Sequence, residues 1–594
     1  MKLRTVRAPL TGLALGIVIL LLILTPMEFR RLALRADAAV RQENLVAQSG
    51  YSTAYAAAYE ETLVPVTVTV SGDAAAAVSP DGTNWYDCDA SGAATFRLAP
   101  GTYRLRAAAN SKLVYTDVTV PTPSASPASF TLDLGKAPDG ADLLLYTLPA
   151  GSPAALTLPV SGATTLEAAP LPNGVSITLG EDGGATLAVS PGMAGPGFYP
   201  IRLTLTNQYG RTLVQLGLTL DAGAPVTEIA TAADLKLLAE NPDGNFLLTD
   251  DLDLSGADDW TPLFTMANPF TGHLDGGGHE ITGFHAPAVI ETGEVFSFLG
   301  YAQNAVIENL IFRDVDIQPT VPARESGVYF NCCTLGNVTE CLVQNCAVVG
   351  GVVHPSDGAA AGLLGDNTTV GINLFNSATV ICEMEKKWLP NTGGVSYACG
   401  LSFLKYCANE GTVKGNHLTG GIASFARDGY ITQCVNSGEV SGRDLVGEYP
   451  AGGICQTTDY GTVTASVFVR GQSAVGCRVF GTPAVVAQLA PVTAGALSDA
   501  EALAVLGTFE ADGLADAADS ADSDADPQWC YASLDAVGPV PYGIFKERTA
   551  APALEGGKPA AQDGAEFRYT EVDGETWVKA VSKGKRDSEW VKMP

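Results

Sequence analysis

Two kinds of short segment recur through the middle of the chain, and they restrict its fold more than any other feature. One is glycine-rich and apolar: Gly362-Leu363-Leu364-Gly365, Gly393-Gly394-Val395, Gly420-Gly421-Ile422 and Gly452-Gly453-Ile454. The other ends a strand-like run with a polar residue and a cysteine: Asn345-Cys346, Tyr406-Cys407 and Gln433-Cys434. Leu310 takes the place of Cys346 upstream, and Ser466 takes it downstream. From Cys407 to Cys434 the step is 27 residues, and insertions lengthen it elsewhere. A period in the range of about 20–50 residues marks stacked supersecondary units. One coil cannot bury its apolar face alone, whereas a stack buries a continuous core. The spacing therefore predicts a parallel β-helix over 225–490. Cys346, Cys407 and Cys434 should point inward as small apolar groups.

Composition agrees with a mainly β chain. The 594 residues include 65 Gly and 35 Pro, which favours many turns over helical bundles. Lys and Arg number 34 against 64 Asp and Glu, a net charge of −30. That balance argues against nucleic acid as a partner, since phosphate binding needs clustered basic side chains.

Before the repeats, Thr231-Ala232-Ala233-Asp234 is a capping-box pattern ahead of Leu235, Leu237 and Leu238. It predicts a short helix that covers the first end of the stack and stops at Asn241-Pro242-Asp243-Gly244. The segment from Phe270 to Ile281 follows, with Gly272, Asp275, Gly276, Gly278 and His279 as structural turn positions. The run from Ile229 through Leu252-Asp253-Leu254 and Trp260-Thr261-Pro262 to Ile281 resembles the opening of bacterial surface proteins with GLUG repeats. The Gly-Gly-apolar steps at Gly420-Gly421 and Gly452-Gly453 and the Asn-Cys steps match their coils. The resemblance covers 226–489 and implies an extracellular β-helix of the kind found in adhesins and in IgA-protease-like peptidases. Peptidase chemistry is not implied here. Such enzymes carry His-Glu-x-x-His, and His279-Glu280-Ile281-Thr282 is followed by Gly283.

The N-terminal sequence divides by period. Basic residues precede an uncharged run at 8–27, long enough as a helix to span roughly 30 Å of hydrocarbon. A cleaved signal peptide is the competing reading, and a pilin-like helix a further one. Residues 1–27 are expected to be a cytoplasmic tail and membrane anchor, and 28–62 a helical stalk. From Leu63, Val66, Val68 and Val70 alternate with Thr67 and Thr69, the period of a half-buried strand. Two small β-sandwich modules are expected, at 63–135 and 136–224. The second resembles bacterial Ig-like modules through Leu171-Pro172-Asn173-Gly174 and Gly197-Phe198-Tyr199-Pro200. Residues 491–545 are expected to form an acidic loop and closing segment, and 546–594 a tail of short strands.

Candidate chemistry is sparse. His273, His279 and His285 recur at intervals of six, but a zinc site needs three or four converging ligands. Asp250, Asp251 and Asp253, and Asp314 with Asp316, offer paired carboxylates for sugar chemistry, or simply a solvated face. Asp522-x-Asp524-x-Asp526 has the look of a calcium loop, but Pro527 stands where an EF-hand needs Gly. No catalytic, metal or cofactor set is assigned. Of 12 cysteines, ten lie from Cys332 to Cys477, as buried thiols or as disulfides. The expectation is a single-pass, membrane-anchored bacterial protein with an extracellular C-terminal ectodomain. Its β-helix would adhere to glycan or matrix polymers. A polysaccharide lyase or hydrolase is the alternative, and a structural envelope component the third reading.

Overall fold

Val306, Ile307 and Glu308 show how the middle of the chain winds. Ile307 points into the core and is fully buried, while its two neighbours face outward, the period-two geometry of a strand. In the computed structural model the same three-residue unit recurs as His273–Asp275, Leu342–Gln344, Val370–Ile372, Phe403–Lys405 and Tyr430–Thr432. Each pairs in parallel and in register with the next, so Leu274, Ile307, Val343, Gly371, Leu404 and Ile431 form one column. The structure describes residues 63–492 and 550–593, apart from short internal stretches, chiefly 322–329, 383–390, 443–450, 476–484 and 583–590.

The chain is mainly β, with 55% strand and 3% helix. The largest sheet has 20 strands, and its coil-to-coil pairings are parallel. A second parallel sheet of seven strands runs from Val295–Phe296 through Asn331–Cys332, Ala359–Ala361, Thr392–Gly393, Thr419–Gly420 and Gly452–Cys455 to Ser473–Val475. This stack of parallel coils is compatible with a β-helix. Cys407 and Cys434 lie on successive coils, because Leu404 pairs with Ile431 and Ala408 with Val435. Both are buried among the apolar side chains of one continuous core.

Two columns of corners hold the five rungs from Val306–Glu308 to Tyr430–Thr432. Asn304, Glu340, Thr368, Leu401 and Asp428 precede them in turn, and Asn309, Asn345, Asn373, Tyr406 and Gln433 follow them; all ten have φ between 48° and 59°. The second column hydrogen-bonds along the stack: Asn345 donates to Asn309 and Asn373 to Asn345, at 3.1 and 2.8 Å. A further ladder is fully buried. Asn376 donates to Asn409 at 2.8 Å, and Asn409 donates to Asn436 at 2.7 Å. The small Gly-Gly steps permit close stacking, since a Cβ on Gly421 would meet the Gly453 carbonyl oxygen.

The first end of the stack is covered as its capping pattern predicts. A 3-10 turn, Ala232–Leu235, continues into the helix Lys236–Glu240 between the parallel strands Val226–Ile229 and Asn245–Leu248. The Asp234 carboxylate accepts from the Thr231 hydroxyl at 2.7 Å and its N–H at 2.9 Å. Leu235 and Leu238 join the same core as the coils.

The membrane expectation is corrected here. No helix among the described residues is long and apolar enough to cross a membrane. Lys236–Glu240 has five residues, about 7.5 Å of helix against roughly 30 Å of hydrocarbon. Single-pass anchoring is therefore unsupported, and with it the placement of an ectodomain outside a cell membrane. Residues 8–27, the helical stalk at 28–62 and the acidic loop at 499–526 all lie outside the described residues.

The described chain forms two compact units. The smaller takes residues up to Val66, Phe96–Thr102 and Thr119–Ala128. Within it Val64 and Val66 are buried and Pro65 is exposed. The larger unit holds the remainder. In it, Gly197–Thr206 pairs antiparallel with Gly210–Asp221, and Leu143–Pro149 runs parallel to the second half of that strand. Leu187, Leu203 and Leu216 lie in the core of this module. The start of Gly210–Asp221 also pairs with Lys112–Val120, so one sheet runs on into strands of the preceding module. Gly210 allows that approach, since a Cβ there would meet the Leu113 carbonyl oxygen.

Candidate binding site

The module before the stack docks against the corner column. Phe198 and Asn304 exchange bonds, with the Phe198 N–H donating at 2.7 Å and the Asn304 amide at 3.0 Å. Arg202 donates to the carbonyls of Asp428 and Leu401, at 2.5 and 3.1 Å, and burial lowers the pKa of its guanidinium. Leu143 and Phe198 pack on Val306, Leu342, Val370, Phe403 and Tyr430. Lys405, wholly buried, meets Asp142 at 2.8 Å. This contact covers outward residues on five successive coils, from Val306 to Tyr430, and so takes in one of the two first coils, which carry His273 and Glu308.

On those first coils His273 Nε2 lies 2.7 Å from Glu308 Oε1. Gln344 donates to the other Glu308 oxygen at 2.5 Å. Asp275 accepts from the Gly277 N–H at 2.8 Å and the Asn309 amide at 2.9 Å. Burial would lower the pKa of His273, but Glu308, Asp275 and Asp221 together raise it. Burial would raise Glu308, and the bonds from His273 and Gln344 outweigh it and hold it low. Asp275 is raised, by burial first and by Glu308 second. Two carboxyls on adjacent coils are thus driven in opposite directions.

The three histidines do not converge. His279 lies 3.4 Å from Asp251, and His285 lies 3.3 Å from Asp258. Among the described residues no three His, Cys, Asp or Glu side chains are placed to share a metal ion. Asp253 accepts from the Ser255 N–H, and Asp316 accepts from Gln318. Asp314 and Asp316 are exposed on either side of the buried Val315. The turn glycines serve close approach: Gly276 donates to the Glu308 carbonyl, Gly278 to that of Asn309, and a Cβ at Gly272 would meet the Gly244 carbonyl. Glu280 and Arg313 form a buried bidentate pair at 3.0 and 2.9 Å. Sequence periodicity could not show this pair, because nothing local links residues 33 positions apart.

A cleft of about 540 Å³ opens at the first coils beside Val295–Phe296. Trp260, Pro262, Met266, Val289, Phe296 and Tyr301 are among its walls, and no charged or histidine side chain lines it among the described residues. Trp260 stacks on Phe298 at 5.3 Å and 10° and meets Phe284 edge-on. Its indole N–H is buried without a hydrogen-bond partner among the described residues. Met266 and Val289 are 68% and 49% exposed. The sequence points to Trp260 only as part of a motif. The cleft arises from three segments brought together by winding.

No family model matches the chain, and no curated protein matches it. Among solved structures it is similar to a putative immunoglobulin A1 protease from Bacteroides ovatus. That likeness has 17% identity, 48% of this chain and 87% of the other covered, and a TM-score of 0.31. An IgA1 protease is similar at 12% identity over 73% of this chain and 28% of its own, with a TM-score of 0.30. An endo-fucoidan hydrolase of glycoside hydrolase family 107 shares 10% identity over 27% of this chain and 29% of its own, with a TM-score of 0.13. Likeness at this level carries no conclusion about activity.

Proposed function

We propose that this is a GLUG-type β-helix protein that binds an extended polymer, glycan or matrix protein, without transforming it. The observation that carries the reading is the cleft beside Trp260. Its walls are aromatic and aliphatic, and two large apolar side chains stand exposed on it. Concave, largely apolar sites with a few polar groups are where ligands bind, and stacked coils give long ligands a repeating surface. The test is an array of glycans and matrix proteins probed with the full chain and with Met266→Arg. Saturable binding that the variant weakens supports the reading. Binding that the variant leaves unchanged sinks it.

A second reading, a polysaccharide-degrading enzyme, is favoured by one observation. Asp275 is driven up and Glu308 down on neighbouring rungs, and carboxyls pushed apart in this way can divide acid and base roles. Turnover of a uronic-acid polymer by the full chain, abolished in Asp275→Asn, would establish it. Absence of turnover with intact polymer binding would end it.

A further inference from the structure

The apolar cleft continues into a polar bend. Val295 and Tyr301, which line the cleft, stand on two different parallel sheets. On the next coil the same two positions are held by Asn331, which pairs with Val295, and Asn337, which pairs with Tyr301. Both asparagines meet one atom. Asn331 Nδ2 donates to the Tyr397 hydroxyl at 3.1 Å, and that hydroxyl donates to Asn337 Oδ1 at 3.4 Å. Side chains on two sheets reach one hydroxyl only where the outer faces of those sheets turn toward each other. The same bend therefore forms the cleft on one coil and this amide pair on the next, about 4.8 Å further along the stack. On the coil beyond, Gly365 leaves room for the Tyr397 ring, which a Cβ there would meet.

The open polar atoms restrict what fits. Tyr301, Asn331, Asn337 and Tyr397 are all partly exposed. Asn331 Oδ1 and Asn337 Nδ2 have no protein partner among the described residues, and neither atom is closed off from solvent. One is an acceptor and the other a donor, so together they match two hydroxyls of a sugar. Tyr301, one coil back, adds an aromatic side chain and leads into the apolar cleft. Apolar walls with a few fixed polar groups suit a small uncharged unit. Charge selects further. The chain carries a net charge of −30 and no Lys or Arg lines the cleft among the described residues, so an anionic polymer is disfavoured. Val295 and Phe296 are buried, so a peptide finds no strand edge to join.

We infer that this bend binds a neutral, hydroxyl-rich glycan chain lying along the stack axis. One sugar ring rests against Tyr301, and the next is hydrogen-bonded by Asn331 Oδ1 and Asn337 Nδ2. The inference rests on the reading of the cleft as the binding site, extends that site by one coil and names the ligand class.

The test titrates the full chain with cellohexaose, laminarihexaose and mannohexaose, and with hexagalacturonate as the anionic comparator, by isothermal titration calorimetry. Asn337→Asp keeps the oxygen that accepts from Tyr397 and replaces only the open donor. Tyr301→Ala removes the ring. The expected result is saturable binding of at least one neutral hexasaccharide, weakened roughly tenfold or more in each variant with unchanged circular dichroism, and hexagalacturonate bound at least tenfold more weakly. If Tyr301→Ala does not fold, Asn337→Asp decides alone. No neutral hexasaccharide bound up to about 1 mM, hexagalacturonate bound as tightly as the best neutral one, or unchanged affinity in Asn337→Asp overturns the inference. If Met266→Arg abolishes binding of a glycan or matrix protein that Asn337→Asp leaves unchanged, the cleft reading stands and its extension fails. If neither variant alters the binding of any ligand, both fail.

Discussion

Lys405 and Asp142, 263 residues apart in the chain, meet at 2.8 Å where both are buried. The ammonium also lies 4.9 Å from the centre of the Tyr406 ring. A buried charge is tolerated only when paired, so removing one partner strands the other. Lys405→Met should destabilise the chain by about 3–5 kcal/mol. The double variant Lys405→Met/Asp142→Leu should recover much of that loss. Urea unfolding of the two single variants and the double variant, closed as a cycle, measures the coupling.

The His273–Glu308 pair gives a pH signature. The His273 pKa is raised above its ordinary 6.5, so its contribution is complete below that value and is lost as pH rises through the folded value. Glu308 is held below its ordinary 4.5, so its contribution is present above 4.5 and is lost as pH falls through the folded value. The pair should stabilise most between about pH 4.5 and 6.5. His273→Gln should lower the melting temperature inside that window and have less effect at pH 9. A melting series across pH 4–9 decides it.

Asp275 predicts the opposite sign. Its carboxyl is raised above the ordinary 3.8, so the charged form weakens the fold once pH exceeds that value. Asp275→Asn should raise stability at pH 7 and leave it nearly unchanged at pH 3, as read by thermal unfolding. Its amide oxygen can still accept from the Gly277 N–H and the Asn309 amide.

Asn345 sits at φ 53° and bonds to Asn309 and Asn373. A β-branched residue is strained there by roughly 1–3 kcal/mol, before the lost ladder bonds are counted. Asn345→Val should therefore destabilise more than Asn345→Gly, since glycine accepts the backbone conformation. Chemical denaturation of the two variants orders them, and equal losses would mean that the ladder, not the backbone, sets the cost.

Burial pushes the Cys333 thiol to about 12 and raises Cys434 well above the ordinary range. Iodoacetamide at pH 8 should leave both untouched in the native protein, because the thiolate is the reactive form. Denaturant without reductant should expose them to alkylation. Mass spectrometry that finds them modified only after reductant would show that they are disulfide-bonded instead.

Some of this was legible in the residues and some was not. The buried column at Cys407 and Cys434 follows from a repeated apolar position, and the covering helix follows from Thr231 and Asp234. The polar residue before each cysteine was visible as a pattern, yet its role as a left-handed corner was not. The other corner column was hidden altogether, because Asn304, Glu340, Thr368, Leu401 and Asp428 share no side-chain chemistry. There the constraint is on the backbone, and different side chains meet it. The docked module and the cleft were equally hidden. Both join residues that only winding makes neighbours, as with Arg202 at Asp428 and Trp260 at Val289.

The two corner columns keep pace with one another. Each advances by 36, 28, 33 and 27 residues from coil to coil, while the rung between them keeps a constant length. Length variation is thereby confined to the remainder of each turn. Foreign sequence could be spliced into that remainder without shifting the alignment of rungs above or below, which makes the molecule a ready frame for displaying inserted epitopes.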